Sequence, residues 1–175
     1  MSVVTIAEQS GVALVTLNRP DANNALNRAL SEAIITTFTE LAGSTTVRAI
    51  VLTGAGRSFC AGVDLKALSD EPEMLSTGMG LGPASPIVAA LEHCPKPIIG
   101  AINGAAVTGG FELALACDYL FASTEARFAD THARVGILPG WGLSQKLTRI
   151  IGINRAREMS LAGNFIDAHR ALVAW

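Results

Sequence analysis

The chain has 175 residues, of which 50% are hydrophobic and 16% are charged, and its formal net charge is −2. This length suits one domain, and the nearly balanced charge gives no electrostatic basis for binding nucleic acid or an anionic membrane. The sequence contains no run of about 18 apolar residues and no signal-peptide pattern, so we expect a cytoplasmic protein. Its three cysteines have no metal-ligand spacing, which favours reduced thiols and no metal site.

The first third of the chain predicts a β-hairpin followed by a helix. In chain order the predicted elements are a strand at 3–7, a strand at 12–18, a loop at 19–27, a helix at 27–42 and a strand at 47–54. The two strands flank a turn at Gln9-Ser10-Gly11, which is typical of a hairpin. Apolar residues every three or four positions along 27–42 predict one buried helix face.

The rest of the chain alternates between helical and strand patterns. The predicted elements are a Gly-rich loop and short helix from 55, helices at 87–94, 109–117, 143–152 and 154–163, and strands at 97–103 and 118–123. Residues 69–86 show no periodicity, and we expect that segment to be mobile. The alternation predicts an α/β fold with a mostly parallel sheet covered by helices.

The stretch "NGAAVTGGFELALACD" at 103–118 places Glu112 in the first turn of an apolar helix, and its other acid, Asp118, follows that helix. One interpretation is purely structural, since the helix macrodipole stabilises a carboxylate there by roughly 0.3–1 kcal/mol. The alternative is catalysis. A buried carboxylate costs several kcal/mol unless it is paired or neutralised, and such a group is suited to general acid or base chemistry.

A second Gly-rich turn, "SFCAGVDLKAL" at 58–68, follows a buried strand. Its ordinary interpretation is a strand-to-helix turn in which Asp64 is the N-cap. An oxyanion hole requires two N–H groups directed at one oxygen, and these often come from two different loops. The backbone amides of Val63 and Gly109 are our candidates for that pair.

Four segments, taken together, resemble the crotonase superfamily, also called the enoyl-CoA hydratase/isomerase family. They lie in the family's order over most of the chain: "LNRPDANNALN", "RAIVLTGAGRSFCAGVDLKAL", "PKPIIGAINGAAVTGGFELALACDYLFAS" and "FADTHARVGILPGWGLSQKLTRIIG". The resemblance implies a crotonase-like fold of ββα repeats and an acyl-CoA thioester substrate, with coenzyme A as part of the substrate and no cofactor. It also implies that the amides of Val63 and Gly109 hold the thioester oxygen as an enolate forms.

The resemblance assigns further residues to the substrate. Those expected to contact coenzyme A and the acyl group are Ala25, Ala61, Val63, Asp64, Leu65, Lys66 and Gly109. Glu112 matches the first of the two catalytic glutamates of the hydratases. The second glutamate is replaced, because the fourth residue after Phe128 is His132, and Asp130 is off register.

His132 has two interpretations. A lone histidine is usually a surface residue or one whose ring nitrogens are satisfied structurally. At the matching position, however, its unperturbed pKa of about 6.5 suits proton transfer near neutrality. Glu112 and His132 would then hold one water between them, so that water adds at Cβ and a proton is supplied at Cα.

The chain stops at "DAHRALVAW", where the members that it resembles continue. The resemblance therefore implies a single crotonase-type domain over 1–175 that lacks the usual C-terminal trimerisation helices. We expect a homo-oligomer, either a trimer or a dimer of trimers, because uncovered apolar surface favours association.

The function predicted is that of an enoyl-CoA hydratase, a lyase. One alternative is another reaction of the superfamily that uses Glu112 and His132 differently, such as isomerisation, C–C hydrolysis or thioester chemistry. The other alternative is a truncated protein that binds acyl-CoA without catalysis.

Overall fold

A computed structural model describes residues 2–70 and 85–174 of the chain. The strands are Val4–Gln9 (β1), Val12–Leu17 (β2), Ala49–Gly54 (β3), Ser58–Cys60 (β4), Ile98–Ile102 (β5), Ala105–Val107 (β6), Tyr119–Ala122 (β7), Arg127–Ala129 (β8) and Ile166–Asp167 (β9). The helices are Arg28–Gly43 (α1), Leu65–Asp70 (α2), Pro86–Glu92 (α3), Gly109–Leu115 (α4), His132–Val135 (α5), Leu143–Ile151 (α6), Ile153–Ala162 (α7) and Ala168–Ala174 (α8). A short 3₁₀ helix covers Pro20–Ala22.

The larger sheet has five strands in the order β1-β2-β3-β5-β7. β1 and β2 form the predicted antiparallel hairpin, and the other neighbouring strands are parallel. Ser10 and Gly11 turn the hairpin with φ values of 52° and 81°. Two consecutive positive φ values fit a type I′ turn, whose twist matches that of the flanking strands.

The core lies between this sheet and the helices packed on it. Alternate residues of β2, β3 and β5 are buried, as the two-residue period of a strand requires. α1 buries the face that its spacing predicts, with Leu30, Ile34 and Phe38 fully buried. Asn27 caps this helix by accepting a hydrogen bond from the Leu30 N–H at 3.0 Å, which fixes where the helix begins.

A smaller sheet, in the order β4-β6-β8-β9, was not predicted from the sequence. Its strands have only two or three residues, which is too short for a two-residue alternation to be recognised. The segments at 58–60 and 105–107 were predicted to lie in loops, and that part of the prediction was wrong. Helices α5 and α8 were also missed, and α5 has only four residues.

The two sheets are built from the same repeats. β3 and β4, β5 and β6, and β7 and β8 are successive pairs, and each pair gives one strand to the larger sheet and one to the smaller. The neighbours β4, β6 and β8 are parallel, so their carboxyl ends lie along one edge. This arrangement confirms the predicted α/β fold with mostly parallel sheets flanked by helices.

The remaining predicted elements agree with the structure to within about two residues at each end. The mobile segment expected at 69–86 falls largely on 71–84, which lies outside the described residues. Within the described ranges, none of the helices is long and apolar enough to cross a lipid bilayer.

Candidate active site

Three segments of the candidate site follow the carboxyl ends of adjacent parallel strands. The first, 61–63, follows β4; the second, 108–109, follows β6; and the third, 130–132, follows β8. Ligand sites of parallel sheets form beyond the carboxyl ends of the strands. The three segments border a pocket of about 100 Å³, lined by Ala61, Val63, Leu65, Thr108, Gly109, Thr131, His132, Val135 and Ile137.

The backbone N–H groups of Val63 and Gly109 make no hydrogen bond to any other described residue. Around Val63, the Leu26 N–H donates to the Gly62 carbonyl at 2.7 Å, and the Asp64 N–H donates to the Leu26 carbonyl at 2.9 Å. Both hydrogen bonds are formed by the residues on either side of Val63 and not by Val63 itself. The local backbone pairing therefore leaves the amides of both pocket-lining residues available to a ligand.

The turn that carries the Val63 amide contacts the turn that carries the Gly109 amide, and Gly62 lies at this contact. A Cβ added to Gly62 would lie 2.4 Å from Thr108 Oγ1 and 3.2 Å from the Gly109 nitrogen. Gly62 also has a φ of +90°, a conformation that costs glycine no steric energy. Glycine at position 62 therefore allows the β4 and β6 turns to approach closely enough to share one pocket.

Thr108 is strained, and sequence reasoning gave it no role. It has φ 48° and ψ −119°, a positive φ that is a genuine outlier for a β-branched residue. Its N–H donates to the Ala129 carbonyl at 3.0 Å, which ties the turn to β8. This conformation redirects the chain between β6 and α4 and so sets where the next amide, that of Gly109, lies.

Glu112 lies in the first turn of α4, as predicted, and its exposed fraction is 0%. Its Oε1 accepts hydrogen bonds from the Trp141 N–H at 2.7 Å and the Leu143 N–H at 3.2 Å. Gly142 lies between these two donors and has a φ of 93°. This turn directs the amides on either side of Gly142 at the same carboxylate oxygen. Glu112 Oε2 makes no hydrogen bond within the described ranges. One oxygen therefore holds the carboxylate in place while the other is not used by the fold.

His132 lies beside that second oxygen. Its Nε2 is 3.4 Å from Glu112 Oε2, and its Nδ1 is 2.6 Å from Asp130 Oδ1. The side chain is 5% exposed and lines the pocket, so the interpretation of a surface histidine was wrong. The structure therefore places His132 next to Glu112.

The contacts of His132 strongly affect its charge. Burial acts to lower the pKa of His132, but the hydrogen bond to Asp130 and the nearby carboxylate of Glu112 outweigh burial and raise that pKa from 6.5 to about 9. For Asp130, burial acts to raise the pKa, whereas hydrogen bonds from His132 and the Ser160 hydroxyl lower it below its ordinary value. At neutral pH the site therefore contains an imidazolium between two carboxyl groups.

The expectation of a water held between Glu112 and His132 does not fit the observed distance. At 3.4 Å, Nε2 and Oε2 leave no room for an oxygen atom on the line that joins them. Two hydrogen bonds of about 2.8 Å at a tetrahedral angle would place them about 4.5 Å apart. A bridging water with tetrahedral hydrogen-bond geometry therefore requires the two side chains to separate by roughly 1 Å.

Asp130 is the residue of this cluster that the sequence analysis set aside as off register. It is 1% exposed and accepts from both the backbone N–H and the ring of His132. The Asp-x-His spacing is the signal that would have found it, since a side chain can bond to the backbone two residues further along the chain.

The residues expected to contact coenzyme A divide into two groups. Ala61, Val63, Leu65 and Gly109 line the pocket, whereas Ala25, Asp64 and Lys66 are absent from its lining. Lys66 is exposed on α2. The predicted ligand contacts are therefore placed in one neighbourhood, but only part of the set faces the described pocket.

Asp64 joins the two segments that carry the remaining expected contacts. Its Oδ1 accepts from the Ala67 N–H at 3.2 Å, which confirms the predicted N-cap of α2. Its Oδ2 lies 3.2 Å from both guanidinium NH groups of Arg19, and Arg19 also donates to the Ala25 carbonyl. The ion pair thereby fixes the loop of Ala25 against the turn that follows β4.

A larger cavity of about 300 Å³ lies near the end of the described chain, between α7 and α8. None of the predicted site residues lines it. In the part of the chain that the structure describes, no cluster of three or more His, Cys, Asp or Glu side chains is arranged to bind a metal ion.

Several known proteins are similar to this chain in sequence and fold. Residues 7–174 match the family model described as enoyl-CoA hydratase/isomerase. The probable peroxisomal enoyl-CoA hydratase 1 of Arabidopsis thaliana is 52% identical over 88% of this chain. The 2,3-dehydroadipyl-CoA hydratase of Escherichia coli is 39% identical over 98% of it. Among solved structures, an enoyl-CoA hydratase of Mycobacterium paratuberculosis is 46% identical over 98% of the chain, with a TM-score of 0.86.

The chain spans only part of the length of these relatives. It corresponds to 57% of the Arabidopsis protein, 66% of the Escherichia coli protein and 70% of the mycobacterial chain. Within that span, both the sequence match and the structural match extend over the three strand ends that build the pocket. The chain belongs to the enoyl-CoA hydratase/isomerase family of the crotonase superfamily.

Proposed function

We propose that this chain catalyses the addition of water to an α,β-unsaturated acyl-CoA thioester. The observation that carries the proposal is the arrangement of one pocket. Two backbone amides without partners among the described residues border it, and so does His132, which contacts the buried Glu112 carboxylate. The relatives named as hydratases support the same chemistry.

The amides of Val63 and Gly109 would bind the thioester oxygen. Attack of water at Cβ moves the double-bond electrons toward Cα and the carbonyl, so negative charge develops on that oxygen. Donors that are fixed in advance stabilise such charge without reorganising, and one of them typically contributes about 10²–10³ in rate. The proposed oxyanion hole thus accounts for the geometry of the turns after β4 and β6, which leaves both amides without partners among the described residues.

Glu112 and His132 would handle the protons. Glu112 accepts a proton from the attacking water through Oε2, which the fold leaves without a hydrogen bond among the described residues, and the His132 imidazolium donates a proton to Cα. The water enters as substrate binding separates the two side chains. Afterwards Glu112 returns its proton to His132 across the short Oε2–Nε2 distance, so the cycle ends with the starting charges.

Substrate binding would extend from the pocket along α2. We assign Ala25, Ala61, Asp64, Leu65 and Lys66 to coenzyme A and the acyl group, with Asp64 acting through its ion pair with Arg19. No separate cofactor enters the proposed reaction, because coenzyme A is a part of the substrate.

We also propose that the chain forms a homo-oligomer, either a trimer or a dimer of trimers. Large apolar side chains are exposed on the described surface, among them Phe121 at 64%, Leu138 at 83% and Leu161 at 81%. Apolar burial stabilises association by about 25 cal/mol per Å². Light scattering over a concentration series should show the oligomer, and a monomer at all concentrations would contradict it.

The test is incubation of the purified chain with crotonyl-CoA, following the loss of the enoyl-thioester absorbance. Hydration should remove the absorbance and yield a 3-hydroxyacyl-CoA, identified by mass. Release of free coenzyme A instead would favour thioester hydrolysis, a candidate supported by the Asp130–His132 hydrogen bond at 2.6 Å. Tight binding of acyl-CoA with no turnover of any thioester would show a binding protein and overturn the proposal.

A further inference from the structure

Asp130 is a candidate for a role that the proposed function does not assign. It is almost fully buried, and its carboxylate accepts two hydrogen bonds from His132, one from Nδ1 at 2.6 Å and one from the backbone N–H at 3.2 Å. Because a carboxylate can only accept, Nδ1 must carry a hydrogen. The ring is therefore fixed with Nε2 directed toward Glu112.

We propose that Asp130 is a positioning residue that makes Asp130 and His132 act together as one electrically neutral proton donor toward Cα of the substrate. This proposal rests on the proposed hydratase function. In the pair, the carboxylate charge of Asp130 balances the imidazolium charge of His132. A neutral unit with one transferable proton is what a single protonated carboxylic acid would also provide.

The charge of Asp130 determines which carboxylate holds the proton of His132. Glu112 must be ionised to accept a proton from water, so a neutral donor leaves a net charge of −1 beside the pocket. Without Asp130, the His132 proton would be held by Glu112 alone, and proton transfer to the substrate would compete with neutralisation of the base. The second carboxylate separates the two roles.

The groups that face His132 are few among the described residues. Asp130 precedes it on the same segment and Glu112 approaches from α4, while α7 contributes the Ser160 hydroxyl to Asp130. The loop before α6 contributes the Trp141 and Leu143 amides to Glu112 rather than a charge. The protonation of His132 is therefore governed by the two carboxylates, and removing one should have a measurable effect.

The main experiment compares Asp130→Asn with the original chain, using crotonyl-CoA as the probe. The loss of the charge should lower kcat by roughly 10–100-fold, which is less than the 10²–10⁴-fold that general acid–base catalysis contributes, because His132 itself remains. The original chain should lose activity as the pH rises through about 9, where His132 gives up its proton. In Asp130→Asn this loss should occur at lower pH, because the imidazolium has lost one of its two negative partners.

Repeating the Asp130→Asn substitution in the His132→Glu variant distinguishes a positioning role of Asp130 from a structural one. In His132→Glu the donor is itself a carboxylic acid, which needs no balancing charge, so adding Asp130→Asn should change kcat little. Non-additivity of this kind reports coupling between the two residues. Equal losses in both backgrounds would mean that Asp130 only supports the fold, and would overturn the proposal.

Imidazole NMR provides a readout that does not depend on turnover. The chain has three histidines, and His132→Glu identifies the signal of His132, whose titration should move to lower pH in Asp130→Asn. Asp167→Asn is the control, because Asp167 is exposed and caps α8 through the Arg170 N–H, a role that asparagine also fills. If Asp130→Asn does not fold, Ser160→Ala should shift the titration in the opposite direction by less, because the Asp130 carboxylate would lose a competing donor and interact more strongly with the His132 ring.

The possible failures are distinguishable. An original chain that hydrates no enoyl thioester would refute the proposed function and the donor role with it. An original chain that hydrates crotonyl-CoA, with Asp130→Asn unchanged in kcat, pH profile and His132 titration, would refute the role of Asp130 alone.

Discussion

The two sheets of this protein differ in how they are built and in what they carry. The larger sheet has five strands of four to six residues, and alternate residues of its three central strands are buried. The smaller sheet has strands of two or three residues. Yet the pocket lies at the carboxyl ends of the smaller sheet, where β4, β6 and β8 lead into Val63, Gly109 and His132.

This difference separates the sources of stability and chemistry. Side chains of the larger sheet contribute free energy of folding through apolar burial, which depends on area and not on direction. The ends of the smaller sheet instead contribute directed groups: amides, a ring nitrogen and carboxylate oxygens at defined distances. We therefore expect substitutions in the two sheets to affect different measurements.

The largest effect should come from Glu112→Gln. The amide can still accept from Trp141 and Leu143 through its oxygen, so the fold and acyl-CoA binding should persist. Turnover should fall by roughly 10²–10⁴, because the variant cannot accept a proton from water. Steady-state kinetics with crotonyl-CoA measures this.

Glu92→Gln is the matched control for that variant. Glu92 forms an exposed ion pair with Lys146 at 2.8 Å, and such pairs contribute at most about 1 kcal/mol. Its turnover should equal that of the original chain. Near-normal turnover of Glu112→Gln would remove Glu112 from the proposed chemistry.

Leu52→Ala should strongly lower the stability of the fold and leave turnover unchanged. Leu52 is fully buried in β3, at the centre of the larger sheet. Truncating such a leucine typically lowers the free energy of unfolding by about 2–5 kcal/mol. Urea unfolding measures the loss, and turnover per folded molecule should be unchanged. A lower kcat in fully folded Leu52→Ala would show that the two sheets are not separable in this way.

Gly109 allows the backbone contribution of the smaller sheet to be tested separately. Gly109→Pro removes one N–H donor, and the rate should fall by about 10²–10³. Gly109 is the first residue of α4, where proline costs no helical hydrogen bond. Thermal melting must first show that the variant folds.

Gly109→Ala provides the comparison, because it adds a methyl group and keeps the N–H. The new Cβ would lie 3.4 Å from Trp141 Cζ3 and 3.8 Å from the Gly62 Cα, so the space is nearly sufficient. Its turnover should stay well above that of Gly109→Pro. Equal rates in the two folded variants would argue against an oxyanion hole at this amide.

The sequence predicts the larger sheet well because its strands are long enough to show a pattern. The spacing of Leu30, Ile34 and Phe38 likewise predicts the buried face of α1. The smaller sheet could not be predicted, since three residues such as Ser58–Cys60 carry no period that separates a strand from a loop. Its pairing depends on contacts distant in sequence.

The candidate site was predicted in composition but not in detail. The glycine-rich turns indicated Val63 and Gly109, and the family resemblance indicated Glu112 and His132. Asp130 was missed because the family resemblance matches only His132 to the position of the second glutamate. The hydrogen bond from the His132 ring to Asp130 depends instead on how the chain turns after β8. Proton-transfer roles therefore follow from the folded geometry in a way that motif positions do not show.

The smallest effect is expected at Thr108, a pocket-lining residue that has both a strained backbone and a side-chain hydroxyl. Thr108→Gly removes both, whereas Thr108→Ala removes the hydroxyl and keeps a Cβ at positive φ. Strain of this type costs on the order of 1–3 kcal/mol, and part of the gain on removing it is offset because glycine loses more entropy on folding. Thr108→Gly should therefore be about 1 kcal/mol more stable to urea than Thr108→Ala.

The turnover of these two variants tests whether the segment 108–109 acts through its backbone alone. If the Val63 and Gly109 amides suffice, both variants should keep nearly the original rate with crotonyl-CoA. A similar loss in both would add the Thr108 hydroxyl to the donors that contact the substrate. A loss in Thr108→Gly alone would mean that the strained conformation holds the Gly109 amide in place, since glycine allows the turn to relax. In that case some of the stability lost at Thr108 maintains the geometry that the reaction requires.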